Sequence, residues 1–448
     1  MSFEDSLYPF LKVYKNLPFF IKFLLGKLYS LIPTRIRHGK FYYTYMKRIK
    51  TFGPDDTNKL LNEQLTFVSE NINYYKNKNF KKIGDFPVMD KTTLRKHFND
   101  FVNSNNLNRI KTNTGGSSGT PFEFFIEKNI SRPKEKAHYD WYWEKFGYKK
   151  GDKILMIRGE SLANNSLYEY QAIENKFAIS CYLLNKDNID DIILKINKFN
   201  PRFIHAYPFA LKNFVWLAQK SKIKLKCTIE AAFLGSEALY KEDQQLFSSF
   251  FNTKISNFYG HSERLVHAGN CPYTDNLHIF PFYGYEELLG DDGKLISEPG
   301  IKGRIIATGF DNTVMPLIRY DTGDEAEYAL ETTCKCGFKG KSFSVIYGRQ
   351  QDYIFLNDQT KVSLTAFIFG QHFSEFSIIK EIQLEQNKIG VLLIRITLAE
   401  NAVFNEEPFI NKFIKSVDNK LAVTVKIVNE IPKTTRGKHV FLIQNIKV

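Results

Sequence analysis

The chain has 448 residues, 43% hydrophobic and 25% charged, with 62 Lys and Arg against 48 Asp and Glu for a formal net charge of +14. A single core stops growing at roughly 250–300 residues, so the length predicts two or more domains; the 40 Phe and 24 Tyr exclude a disordered chain. The lysines are scattered among acids and no nucleic-acid reader motif accompanies them, which sets nucleic-acid binding aside and leaves a polyanionic small molecule or an anionic membrane surface to match the charge. Five cysteines, an odd number with no secretory signal, point to a reducing, cytoplasmic compartment.

Residues 1–84 read as a helical N-terminal region. Within it, LPFFIKFLLGKLYSLIP (17–33) is broken by Lys22 and Lys27, too short and too charged to span a bilayer. Two readings stay open: a helix packed on the body of the protein, or a basic amphipathic segment resting peripherally on a membrane. FPVMDKTTLRKHF (86–98) predicts a helix opened by Lys91, with Asp90 as its N-cap.

TNTGGSSGTPFEFF (112–125) crowds glycines and hydroxyls ahead of alternating aromatics. Gly115, Gly116 and Gly119 permit tight turning and leave amides uncovered, while Thr114, Ser117, Ser118 and Thr120 add hydroxyl donors. The segment is a candidate phosphate cradle, or else a plain hairpin turn before the strand PFEFFIE. It is not a Walker A loop, because Thr120 and Pro121 stand where Lys and Ser/Thr are required. From about 150 to 320, KILMIR, DIILKINKF with PRFIHAY, AAFLGSE and KGRIIATGF alternate strand-like runs with helical patterns, the mark of an α/β sheet with crossover helices. After GRQQDYI (348–354), IKEIQLEQ, KIGVLLIRITLAE, PFINKFIKSVDNKLA and VTVKIVNEI predict strand, strand, helix, strand: a small α+β domain over 349–448 that follows a large α/β domain over 85–348.

TGGSSGTP, GSEAL (235–239), FYGHSER (258–264), RYDTGD (319–324), GRQQDYI and IPKTTRGKH (431–439) occur in the order of the core motifs of the adenylate-forming acyl-AMP ligases. From about residue 85 to its end the chain resembles that superfamily, most closely the branch of phenylacetate–CoA ligases, F390 synthetases and the CapK-type proteins of polysaccharide gene clusters. The resemblance implies an adenylate-forming fold and an AMP-forming ligase that uses ATP and Mg²⁺. Ser117, Ser118, Gly119 and Thr120 would hold the ATP phosphates. Gly235, Ser236 and Glu237 would line the adenine slot, with Tyr259 and Gly260 against the base. Glu263 would hold Mg²⁺, Asp324 would accept the ribose hydroxyls and Arg349 would contact the ribose. Lys438 would stabilise charge between carboxylate and α-phosphate as pyrophosphate leaves. The acyl pocket would draw on His205, Tyr207, His261 and Arg264. Two departures stand out: no lysine follows the Thr-Gly of the phosphate loop, and the hinge position, commonly Asp or Lys, is Gln351.

CPYTDNLH (271–278) and CKCG (334–337) bring a second constellation. Cys334 and Cys336 are close enough in sequence to share one metal, and Cys271 with His278 would complete a tetrahedral Zn²⁺ site, with His267 as the rival fourth ligand. Several phenylacetate–CoA ligase relatives resemble this arrangement. The expected activity is formation of an acyl-adenylate from a small carboxylic acid, followed by acyl transfer to a thiol such as CoA, to an amine or to a sugar acceptor. The alternatives are AMP transfer to a deazaflavin hydroxyl, or a non-catalytic, membrane-associated module that kept the fold.

Overall fold

A computed structural model describes the chain except for residues 1, 8–9, 11–12, 15–16, 114–121, 159–161, 163–165, 182, 238, 350–352, 360, 364–374, 376–377, 418, 434–438 and 447–448. The chain forms two compact units: the first runs to Val345, and the second is Ile346–Val448 joined by Gly323–Ala326.

In the first unit, β1 (Arg109–Asn113) and β2 (Glu123–Glu127) form an antiparallel pair on either side of the glycine-rich segment. There follow β3 (Ile154–Arg158), β4 (Tyr168–Gln171), β5 (Lys176–Ser180), β6 (Phe203–Ala206), β7 (Ala231–Gly235) and β8 (Lys254–Gly260). β9 (His267–Cys271), β10 (Thr274–Ile279), β11 (Gly284–Leu289), β12 (Leu295–Ile296), β13 (Lys302–Gly309), β14 (Tyr320–Tyr328) and β15 (Ser342–Arg349) complete a 13-stranded sheet of order β12-β11-β13-β14-β15-β10-β9-β8-β7-β6-β3-β5-β4. β5, β3, β6, β7 and β8 run parallel, as the alternating pattern predicted.

Both faces of this parallel block are covered, and its strands are apolar throughout for that reason. Along β7, Ala231 and Phe233 enter an aromatic core with Tyr45, Trp143, Phe203 and Phe258. The alternate residues Ala232 and Leu234 enter an aliphatic core on the other face. That second core takes Ile189, Ile192, Ile193 and Ile196 from the helix Ile189–Phe199, one stripe at i, i+3, i+4, i+7. The helix stops at Asn200, whose φ of 53° is the left-handed conformation of a helix C-cap.

The N-terminal helices belong to this first unit. Thr34–Thr51 packs on Ser131–Glu144, and Arg48 donates two hydrogen bonds to Asp311, at 2.7 and 2.8 Å. Buried Lys134 donates to the carbonyls of Tyr283 (2.6 Å) and Phe310 (3.1 Å) and lies 3.6 Å from the same Asp311. The expected cap at Asp90 is present: its side chain accepts from the Thr93 amide at 2.7 Å, and the helix runs Lys91–Lys96. No helix among the described residues is long and apolar enough to cross a membrane.

The second unit pairs β16 (Tyr353–Phe355) with β17 (Lys361–Ser363) and builds a four-stranded sheet from β18 (Ile379–Lys388), β19 (Val391–Leu398), β20 (Ala422–Ile427) and β21 (Leu442–Gln444), in the order β20-β19-β18-β21. The helix Glu406–Ser416 links β19 to its parallel neighbour β20 and buries Phe409 and Phe413 on Leu392, Ile394 and Ile396. The predicted strand–strand–helix–strand order is present, and β21 adds a parallel edge to β18.

Candidate active site and metal centre

β3, β6, β7 and β8 lie side by side, and their carboxyl ends carry most of the described residues expected from the motifs, in the position where open α/β sheets bind ligands. Gly235 ends β7, where a Cβ would sit 2.6 Å from the Phe258 ring, so only glycine fits. Ser236 follows at φ 70°, and Arg264 has φ 61°; non-glycine residues adopt this region sparsely, and such backbone clusters at functional sites. Glu237 turns back to accept from the Phe209 amide (3.1 Å) in the first turn of the helix Pro208–Lys220.

The last residue of β3, Arg158, gathers three of the expected residues around its guanidinium. It donates to His205 Nε2 (3.2 Å), to the Tyr207 hydroxyl and to the Ser236 hydroxyl (3.4 Å each), and it stacks 4.6 Å over the Tyr207 ring. Arginine has no acceptor, so His205 must accept at Nε2 and carry its proton on Nδ1. Burial first, and then the Arg158 charge, hold this imidazole well below its usual range. His205 Nδ1 and Arg158 Nε are buried without a hydrogen-bond partner among the described residues. Sequence reasoning did not select Arg158; the signal available was an arginine closing the apolar run ILMI.

Glu263 forms a second cluster. It is buried, receives the Tyr320 hydroxyl on Oε1 at 2.6 Å and lies 3.2 Å from His261 Nδ1 through Oε2. Burial alone would raise its carboxyl, but hydrogen bonds from His261 and Tyr320, with the charges of His261 and Lys91, outweigh it and hold the group at about 2. Tyr320 sits inside the quoted RYDTGD motif, yet the motif alone gave it no role. Tyr259 lies in β8, 6.2 Å from the His261 ring and edge-on to Phe343 at 6.4 Å. Gly260 closes the same strand, where a Cβ would stand 3.1 Å from the His267 ring.

Asp324 lies in β14, within the stretch that joins the second unit, and Arg349 is the last residue of β15. Ser117, Ser118, Gly119, Thr120, Gln351 and Lys438 fall outside the described residues.

The thiol and imidazole donors of Cys271, His278, Cys334 and Cys336 all lie within 4.8 Å of one another. Cys271 Sγ is 3.6 Å from Cys334 Sγ, and Cys336 Sγ is 3.5 Å from His278 Nε2. A tetrahedral zinc with ordinary Zn–S and Zn–N bonds sets S–S edges of about 3.8 Å and S–N edges of about 3.6 Å, so the donor set fits that ion. His278 Nδ1 is 3.0 Å from the Ser342 hydroxyl, an outer partner that orients the ring, and Phe338 stacks on the ring at 4.2 Å. The rival ligand His267 is elsewhere: it lies in an aromatic pocket, 4.2 Å from the ring of His138 and stacked on Phe258.

Residues 356–445 match the family model described as the CapK C-terminal domain. Over 467 residues the chain is 26% identical to Protein CapK of Staphylococcus aureus, covering 97% of this chain and 99% of that protein. Among solved structures, 2-hydroxyisobutyryl-CoA ligase in the postadenylation state, in complex with R3-HIB-AMP, aligns with a TM-score of 0.66 at 15% identity, covering 89% of this chain and 91% of that one. The same ligase in complex with 2-HIB-AMP and CoA, in its thioesterification state, aligns with a TM-score of 0.54 at 17% identity over 89% and 92% of the two chains. The fold is therefore that of the adenylate-forming ligases, a large α/β unit followed by a small α+β unit, and the resemblance read from the six motifs is borne out.

Proposed function

We propose that this chain, with its adenylate-forming fold and CapK-type C-terminal region, activates a small carboxylic acid as its acyl-adenylate with ATP and Mg²⁺ and passes the acyl group to an acceptor thiol, amine or sugar in polysaccharide biosynthesis or modification. One observation carries the reading: His205, Tyr207, Gly235, Ser236 and Gly260, expected in the nucleotide and acyl sites, stand at the carboxyl ends of adjacent parallel strands. The solved neighbours hold an acyl-AMP, and one also holds CoA, which makes CoA the first acceptor to try.

Each residue has a defined task in this reading. Ser117, Ser118, Gly119 and Thr120 would grip phosphate oxygens through amides and hydroxyls, since no lysine follows in that loop. Glu263, held ionised by its two hydrogen bonds, offers the carboxylate that a hard cation prefers, and that cation would supply charge neutralisation at the phosphates. Tyr259 and Gly260 would flank the base, Asp324 and Arg349 the ribose. Arg158 and the Nδ1–H of His205 would meet the acid or its adenylate, together with Tyr207, His261 and Arg264. Lys438 would stabilise the charge that develops between carboxylate and α-phosphate, with Gln351 at the pivot of the C-terminal unit. Cys271, His278, Cys334 and Cys336 would hold a structural zinc, because four protein ligands leave no open position for a substrate.

The test is pyrophosphate–ATP exchange with a panel of carboxylic acids. Exchange that depends on an added acid is expected, and Lys438→Ala should lower it about 10²–10³-fold, the usual loss for one preorganised charge contact in a transition state. Lys433, which pairs with Glu381 at 3.3 Å, is the control, and its alanine variant should keep most of the exchange. Equal losses in the two variants would remove Lys438 from the chemistry. Exchange that needs no carboxylic acid and appears only when a hydroxyl acceptor such as a deazaflavin is added would favour AMP transfer to that hydroxyl.

A further inference from the structure

Between Ser6 and Pro54 the chain holds ten Lys or Arg and no Asp or Glu, so this stretch alone carries ten of the fourteen net positive charges. The same stretch contains the helix Phe19–Leu31, and its orientation is the reverse of what water favours. Lys22, Gly26 and Tyr29, at i, i+4 and i+7, form the stripe turned towards the protein. Lys22 pairs with Glu169, and a Cβ on Gly26 would stand 2.8 Å from the Cβ of Ala172, so the glycine sets the close approach of the helix to β4. The opposite stripe is apolar and turned outward: Phe20, Leu24, Leu28 and Leu31 are 74%, 49%, 54% and 77% exposed. An apolar helix face left in water at the rim of a protein marks a surface that is covered by something else.

Charge selects what covers it. Lys27 is exposed, with its ammonium 5.8 Å from the Phe23 ring and 5.6 Å from the Tyr170 ring of β4, an apolar stem over rings ending in a charged tip. Arg35, Lys40, Lys47 and Lys50 are exposed on the helix that follows, Thr34–Thr51. A stretch that carries ten cations and no acid of its own together with an outward apolar face matches an anionic lipid surface, where the ring and aliphatic side chains enter the acyl boundary and the ammonium groups meet the headgroups. Nucleic acid would satisfy the charges but leave the leucines in water. A protein partner or a second copy would satisfy the leucines and would have no use for so one-sided a charge.

We propose that the helix Phe19–Leu31 and the cationic residues after it dock the protein on anionic membranes as a peripheral, in-plane anchor. This proposal stands independently of the ligase reading, because none of its residues belongs to the active-site or metal clusters. It is tested by sedimentation of the whole protein with vesicles of phosphatidylcholine, with and without phosphatidylglycerol, at low and high salt. Binding is expected only to the anionic vesicles and should weaken with salt. Leu24→Ser with Leu28→Ser, and separately Lys40→Gln with Lys47→Gln, should each lower the partition coefficient on the order of tenfold or more. All four side chains face solvent, so thermal melting should match the unaltered protein and show that both variants fold. Lack of binding to the anionic vesicles, or equal binding by the unaltered protein and the folded variants, overturns the proposal. So does a concentration-dependent dimer in analytical ultracentrifugation that the leucine variant abolishes, since the face would then be a contact between copies.

Discussion

His138 and His267 show how much a single residue type can cost when it is buried dry. Both are almost fully buried, their rings are 4.2 Å apart among Phe280, Phe282 and Tyr283, and none of their four ring nitrogens has a hydrogen-bond partner among the described residues. Burial, and then the charge of His261, push His267 down to about 3; burial, with His267 and Lys134, drives His138 well below its usual range. The sign follows directly. As pH falls below about 6.5 the unfolded chain takes up protons that these two residues refuse in the folded state, so stability falls with pH, at up to about 1.4 kcal/mol per pH unit for each histidine, and for His267 it does so down to about 3. Urea unfolding of His138→Leu at pH 5.5 and 4.5 should show a pH slope shallower by about that amount. An unchanged slope would mean that His138 titrates normally. Neither environment was legible in advance, because HAGNC and KAHYD do not show that the two imidazoles meet across the core. His267 reads in sequence as a metal ligand for the same reason: its distance from Cys271 suits a helical turn, but the segment is strand β9, where two residues four apart share a face yet stand about 13 Å from each other along the strand.

At the level of elements, the candidate metal centre is a meeting of three strands and a turn. Cys271 ends β9, His278 lies on the neighbouring β10, and β15 sets Ser342 opposite His278. The turn that carries Cys334 and Cys336 is closed by the bridge between Thr333 and Lys339. A C-x-C spacing is short for zinc, and sequence alone could not show that β10 runs between β9 and β15 and so supplies the other half of the site. Freshly purified protein should contain about one zinc per chain by elemental analysis, and Cys334→Ser with Cys336→Ser should lose it. That variant should melt several degrees lower while the acid-dependent exchange expected above persists, because a site filled by four protein ligands leaves no open position for a substrate. The parallel strands were legible in the apolar runs KILMIR, FIHAY and AAFLG, since burial on both faces leaves little choice of residue. The antiparallel half was harder: β9 contains Gly269 and Asn270, and only its last residue, Cys271, fell within a motif. Gly269 is required because a Cβ there would lie 2.5 Å from the Tyr142 ring, a contact between residues 127 apart in sequence.

Across the whole molecule, order of motifs was a stronger signal than any one of them. Each is a short, polar, glycine-bearing turn with an ordinary structural explanation, and the six acquire meaning from their succession from Thr114 to His439. The change of texture after residue 348 marked a second domain, and Ile346–Val448 does have a separate core around Leu384, Leu392, Ile394, Phe409 and Phe413. A unit of about a hundred residues is a usual size for independent folding. Calorimetry should therefore resolve two transitions, and Phe409→Ala should move only one of them, by the roughly 3–5 kcal/mol that an emptied aromatic site costs. A single transition shifted as a whole would mean that the two cores melt together.

The helix Phe19–Leu31 lies against β4, the last strand of the 13-stranded sheet, whose opposite end is the two-residue β12. Chains shortened from the N-terminus past residue 33 would uncover backbone amides and carbonyls along β4, which invite strand addition from another copy. Such truncations should gel or precipitate on concentration, and a shortened chain that loses activity by clumping could be mistaken for one that has lost a catalytic segment.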